Sequence, residues 1–158
     1  MRRQDREVLE KDELLDILRS CKICRLGLTV DNRPYVVPLN FGYSWENNEP
    51  LTLYFHCARQ GLKLRMLACN SLACFEMDCR HELICGTEPC DYSFAYASII
   101  GWGRVQLLDQ LTEKRYGLQK LLEQQVSPKS YAFSQAALEN VYVLRLQAEE
   151  LSGKKHGS

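Results

Sequence analysis

The feature that most constrains this chain is a succession of short β-rich runs separated by turn residues. CRLGLTV (24–30) and YVVPLNF (35–41) flank Asp31-Asn32-Arg33-Pro34. LTLYFH (51–56), Ser71 to Met77, Ala97 to Leu107 and VYVLRLQAEEL (141–151) follow. Runs of this length, rich in β-branched and aromatic residues and bounded by turn signals, read as strands, and the first two as a β-hairpin around a four-residue turn. Many short antiparallel strands leave exposed edges, and a sheet that closes or nearly closes on itself removes them. The expected fold class is mainly β: an antiparallel barrel with a few packed helices.

Helical periodicity is confined to four segments. Residues 12–22 place Leu14, Leu15, Ile17, Leu18 and Cys21 on one face, behind Asp12 and Glu13 at the favourable end of the dipole. Residues 59–70, 112–125 (with Thr112 as a candidate cap) and 134–140 complete the set. GYSWENNEP (42–50) reads as a polar loop. Residues 81–96 hold a Gly-Thr-Glu-Pro turn signal but no clear period. Gly101 and Gly103 interrupt a strand, which points to a bulge or a close backbone approach. The chain reads as a single domain over 1–152 with a flexible tail at 153–158.

Composition narrows the function classes. The 158 residues suffice for one real core. Lys plus Arg equals Asp plus Glu at 20 each, so charge gives no case for nucleic acid. No apolar run approaches the ~18–20 residues that span a bilayer. MRRQDREVLEKDELL is too acidic and too interrupted for a signal peptide, so a cytoplasmic location is expected. The eight cysteines are then expected as reduced thiols, most of them small core residues. Cys21-Lys-Ile-Cys24 has the spacing of a zinc half-site but lacks a second tight pair, so no metal is expected.

The chemistry-bearing stretch is LYFHCARQGLKLRML, residues 53–67. A strand ends near His56, and a helix begins near Gln60-Gly61. Three cations, Arg59, Lys63 and Arg65, cluster at that start, where the helix dipole disfavours them. A bound phosphate would satisfy the free amides and offset that cost together. A solvated helix end with scattered surface charges fits the same residues. Pro38 breaks the ladder of YVVPLNF, and Asn40 is polar within it; the break either frees backbone groups for a planar heterocycle or marks an ordinary edge strand. Ser98 opens the strand holding Trp102, which either packs in the core, the expected place for an isolated Trp, or covers a ring. There is no GxSxG, Walker loop or GxGxxG, so a cofactor that carries the chemistry itself fits better than hydrolysis or phosphoryl transfer.

Taken in order, MRRQDREV, CKICRLGLTVDNRPYVVPLNFGY, LYFHCARQGLKLRML, YASIIGWGRVQ and VYVLRLQAEELSGKK resemble the pyridoxamine 5′-phosphate oxidase-like flavoproteins. The similarity is to the short branch labelled nitroimidazole resistance or flavin-nucleotide-binding. The resemblance implies an FMN-binding split β-barrel built as a homodimer, with flavin at the subunit interface. It implies that Val37, Pro38, Leu39, Asn40 and Phe41 line the isoalloxazine ring. His56, Gly61 and Lys63 would meet the ribityl phosphate, with Ser98 and Ile99 near the cofactor. The family often places an Arg before the Lys; here that position is Leu62, and Arg59 or Arg65 would have to substitute. The implied activity is reduction of small molecules such as 5-nitroimidazoles by a nicotinamide donor. No catalytic residue is specified beyond His56 as a candidate. The alternatives are a non-enzymatic flavin carrier or redox sensor, a split barrel binding heme or deazaflavin, and a zinc-binding interaction module.

Overall fold

A computed structural model describes residues 3–46 and 49–157. Met1, Arg2, Asn47, Asn48 and Ser158, parts of the expected N-terminal motif, polar loop and tail, lie outside the described residues. The order is β1 (Glu7–Val8), α1 (Lys11–Ser20), β2 (Ile23–Val30), β3 (Arg33–Asn40), β4 (Gly42–Ser44), β5 (Thr52–Cys57), α2 (Leu62–Cys69), β6 (Leu72–Ile84), β7 (Ser93–Leu108), α3 (Leu111–Gln125), α4 (Gln135–Asn140) and β8 (Tyr142–His156). Single 3₁₀ turns lie at Gln4–Arg6 and Pro89–Asp91.

The strands form one antiparallel sheet in the order β3-β2-β6-β7-β8-β5-β4, with β1 added to β8. Because β4 follows β3 after the single residue Phe41, the two ends of the sheet are joined through the chain. This is the expected barrel, split between β3 and β4. Inward side chains alternate along the strands: Leu26 and Leu28 on β2, Leu53 and Phe55 on β5, Phe75 and Met77 on β6, Ile99 on β7. Helix α1 lays Leu14, Ile17 and Leu18 on this core. Each such fully buried side chain contributes about 1.5–3 kcal/mol relative to exposure. A second, small cluster of Tyr54, Leu108 and Val143 has Leu118 of α3 packed against it.

Several local expectations are corrected. The β2–β3 turn is two residues, Asp31 and Asn32, both at positive φ (52° and 58°). Asp and Asn tolerate that conformation, and it matches the twist of paired strands. The polar loop begins as strand, because Gly42–Ser44 pairs with Thr52–Tyr54. The segment without a period, 81–96, prolongs β6 and β7 into a long hairpin, with a register shift between Cys79 and Glu82. Thr112 lies inside α3 and Gln110 holds the cap position, whereas Ser134 does cap α4, accepting from Ala137 N–H at 3.2 Å. Trp102 points out of the barrel and is 44% exposed. Of the thiols, Cys21, Cys24 and Cys57 are core residues, whereas Cys69, Cys85 and Cys90 are exposed.

The expected tail is strand as far as His156. Gly153 pairs with Val8 on one side and Ile99 on the other, and His156 pairs with Tyr96. The glycine expectation in β7 is met: the register shifts between Trp102 and Gly103, and a Cβ on Gly103 would run into the Gln147 carbonyl. No helix among the described residues is long and apolar enough to cross a membrane.

Candidate functional site

Strand β5 ends at Cys57, and Ala58, Arg59 and Gln60 lead to Gly61. Gly61 has φ 143° and ψ 168°, a region open essentially to glycine alone, and nothing lies within 4 Å of where its Cβ would be. The glycine is therefore required by backbone conformation, and it leaves open space beside the helix start. The first intrahelical bond of α2 runs from Arg65 N–H to Gly61 O at 3.3 Å. The amides of Leu62, Lys63 and Leu64 precede it and have no helical partner.

Among the described residues, Arg59, Lys63 and Arg65 form no ion pair with a carboxylate. Arg59 lies 5.4 Å over the Tyr142 ring, which Lys114 also approaches at 5.8 Å. Burial pushes the Cys57 thiol up, and the nearby Lys63 ammonium acts against that shift. Leu62 is 45% exposed at the first helical position. A hollow of about 250 Å³ lies beside the helix, lined by Arg59, Leu64, Leu67, Val105 and Tyr142 among others. The α2 start thus concentrates free amides and uncompensated cations, a combination suited to an anion such as a phosphate. His56 is exposed on the outer face of β5, two residues from buried Tyr54.

The other expected site residues lie elsewhere on the sheet. Tyr35, Val37 and Leu39 point inward from β3, whereas Val36, Pro38 and Asn40 point outward. Pro38 does lie on a strand with no neighbour on its far side. Asn40 is spent locally: its amide donates to Lys22 O and Gln125 Oε1, both at 3.2 Å. Phe41 and Ile99 are fully buried, so their side chains belong to the core. Ser98 faces outward between Asp78 and Lys154. From β3 to β7 is three strand steps, about 14 Å. A single copy therefore does not bring β3 and Ser98 together.

Two polar groupings on the outer face escaped sequence reasoning. Arg25 holds Glu76 at 3.0 Å and Asp78 at 2.5 Å, and His81 reaches Asp78 at 2.7 Å. Burial raises the Asp78 pKa, but Arg25 and His81 outweigh it and leave that carboxyl below its ordinary value. Ser93 Oγ lies 3.0 Å from His156 Nε2, and Arg6 Nη2 lies 3.4 Å from it. Burial resists ionisation of the Tyr96 phenol, yet hydrogen bonds from Lys154 and Arg6 lower its pKa overall. The only signal for either grouping was the outward positions of two strands whose length the sequence concealed. Among the described residues, no three His, Cys, Asp or Glu side chains stand together as metal ligands.

The comparisons agree with this fold. A structure of a candidate 5-nitroimidazole antibiotic resistance protein from Bacteroides thetaiotaomicron superposes with TM-score 0.79 at 29% identity, covering 94% of this chain and 86% of that one. The flavocytochrome Anf3 from Azotobacter vinelandii gives 0.80 at 17% identity, covering 100% and 72%. An FAD- and heme-binding protein from Mycobacterium smegmatis gives 0.82 at 20% identity, covering 97% and 74%. These last two show the fold alone. No curated protein sequence matches. The family model described as pyridoxamine 5′-phosphate oxidase matches residues 10–155, nearly the whole chain. The chain therefore belongs to the pyridoxamine 5′-phosphate oxidase family.

Proposed function

We propose that this chain is an FMN-binding reductase of small molecules, with nitroaromatic compounds such as 5-nitroimidazoles as substrates and a nicotinamide as electron donor. The observation that carries the reading is the start of α2: amides without a helical partner, Gly61 with open space beside it, and three cations that, among the described residues, pair with no carboxylate. Cations at a helix N-terminus cost about 0.3–1 kcal/mol each, a cost that a phosphate reverses. The residues present therefore fit the phosphate end of FMN.

Lys63 and the amides of Leu62 to Leu64 would hold that phosphate, and the backbone of β3 would lie along the ring. Bound FMN would supply the redox chemistry between donor and substrate. His56, exposed beside the cradle in sequence, is the candidate for holding or donating a proton.

The site would be completed by a second copy of the chain. The outer face of β3, β6 and β7 exposes Val36 (62%), Trp102 (44%) and Leu72 (40%), an apolar surface suited to an interface. Pairing two copies through it would bring the β3 of one toward the Ser98 of the other, which no single copy achieves. The similarity to a candidate nitroimidazole resistance protein supports the substrate class.

The test is an absorbance spectrum after FMN addition and desalting, with Lys63→Ala alongside. A retained two-peaked flavin spectrum that Lys63→Ala weakens, followed by nicotinamide-dependent loss of a nitro compound, is the expected result. Unchanged affinity in Lys63→Ala would remove the phosphate assignment. A Soret band on purification would favour heme, the second reading, which rests on the fold shared with the two heme-associated neighbours.

A further inference from the structure

We propose that Cys21 and Cys79 form a redox modification site, in which a peroxide oxidises Cys79 and Cys21 closes on it as a disulfide joining α1 to β6. Cys21 caps α1 at its C-terminal end, its N–H bonded to Ile17 O at 3.0 Å, and is 1% exposed. Cys79 is half-buried against the same core cluster, at the last regular pair of β6 before the register shift. Cys79 shares the inward-facing positions of β6 with Ala73, Phe75 and Met77, toward the core cluster to which Cys21 belongs.

Their backbones are fixed independently of the thiols. Arg80 adopts φ 61° and sends its guanidinium to Asp16 Oδ2 at 2.6 Å and Ser20 Oγ at 3.3 Å. The residue after Cys79 is thus tied to the residue before Cys21. Cys69, Cys85 and Cys90 have no comparable setting and stand exposed.

The environments divide the roles. Burial, then the neighbouring Cys79, raises the Cys21 pKa, and the negative end of α1 adds to this. Cys21 is shielded and protonated, a resolving thiol. Cys79 is the one a peroxide reaches. Its sulfur attacks hydrogen peroxide, the O–O bond breaks, and Cys79 becomes a sulfenic acid with release of one water. Cys21 Sγ then displaces the hydroxyl from the Cys79 sulfur, and that hydroxyl leaves as a second water with the Cys21 proton. The two thiols lose two electrons together, and the peroxide gains them.

The experiment uses the full chain carrying Cys69→Ser, Cys85→Ser and Cys90→Ser, so that chains do not cross-link. It is treated folded with hydrogen peroxide, alkylated, digested and mapped by mass. The expected product is a linked Cys21–Cys79 peptide pair, an intact mass lower by two hydrogens and a higher thermal midpoint. Cys79→Ser abolishes the link, and Cys21→Ser leaves Cys79 as a sulfenic acid trapped by dimedone. Recovery of alkylated Cys21 from the treated, then unfolded, parent overturns the proposal, as does a disulfide mapped to another pair. Neither readout depends on flavin, so the reductase reading and this one fail separately.

Discussion

Asn40 Nδ2 donates to Gln125 Oε1 at 3.2 Å, and through that contact the end of β3 is bound to the last turn of α3. Gln125 returns the contact with its own amide, donating to Phe41 O at 2.9 Å and Lys22 O at 3.1 Å. One helix side chain thus holds the point where β3 passes into β4, which is the split in the barrel. Removing it strands a partly buried carbonyl, so Gln125→Ala should cost about 1–3 kcal/mol. Because the contacts are shared, Asn40→Ala added to Gln125→Ala should cost less than Asn40→Ala alone. Urea unfolding midpoints of the two single variants and the double variant check this, and full additivity would mean that the amides act separately.

The resemblance sets Leu62 where the family often carries an arginine, and nothing is lost from the core by changing it, since it is 45% exposed. Leu62→Arg adds a charge-assisted donor at the helix start beside Lys63. FMN affinity should rise about tenfold, roughly 1.4 kcal/mol, read by flavin fluorescence titration. If affinity is unchanged while Lys63→Ala weakens it, Arg59 or Arg65 already supplies the missing contact. If neither variant matters, the cradle is not where the phosphate binds.

The main features of the fold were legible because they rest on local signals. Leu14, Ile17 and Leu18 announce α1, and the alternation of Leu26, Leu28, Phe75 and Met77 announces strands facing one core. The α2 start was legible for the same reason: Gly61 and its flanking cations are contiguous in sequence. What stayed hidden depends on long-range pairing. Asn40 looked available to a ligand until Gln125, 85 residues away, was placed beside it. Residues 81–96 show no clear period because the β6–β7 hairpin extends beyond the barrel wall, where β6 from Arg80 to Ile84 is exposed on both faces and Ala95 of β7 alone is buried. Trp102 read as core because tryptophan usually is, and only strand register shows that it faces outward.

Asp78 carries a pH signature. Its carboxyl is held below the ordinary aspartate value because Arg25 and His81 outweigh its burial. A carboxyl depressed on folding contributes stability that is fully present above its unfolded pKa, about 3.9, and lost as pH falls through its lower folded value. Arg25→Ala removes most of that contribution. After allowance for solvent screening of a half-exposed arginine, the variant should be roughly 0.5–1 kcal/mol less stable at neutral pH. The gap from the parent should narrow as pH falls below about 4. Denaturant midpoints at neutral pH and at acid pH measure the two limits, and a gap that widens in acid would contradict the sign.

The last residues test the difference between a tail and a strand. Gly153 pairs with both Val8 and Ile99, Lys154 pairs with Ser98, and Lys155 reaches Glu13 of α1. A Cβ on Gly153 would crowd the Leu14 side chain and Val8. Truncation after Ser152 removes the partner of β1, uncovers Val8 and Leu14, and leaves the outer edge of β7 unpaired beside Ser98. A frayed tail would be removed without effect. Here the loss of ladder bonds and of apolar cover should cost at least about 2–3 kcal/mol, since two buried side chains are opened to water. Thermal unfolding of the truncated chain against the full one measures it. Gly153→Val, which keeps the length but not the fit, should lie between them. A truncated chain as stable as its parent would show that β7 and the α1 core hold without β8's last turns of ladder, and that the sheet ends at residue 152.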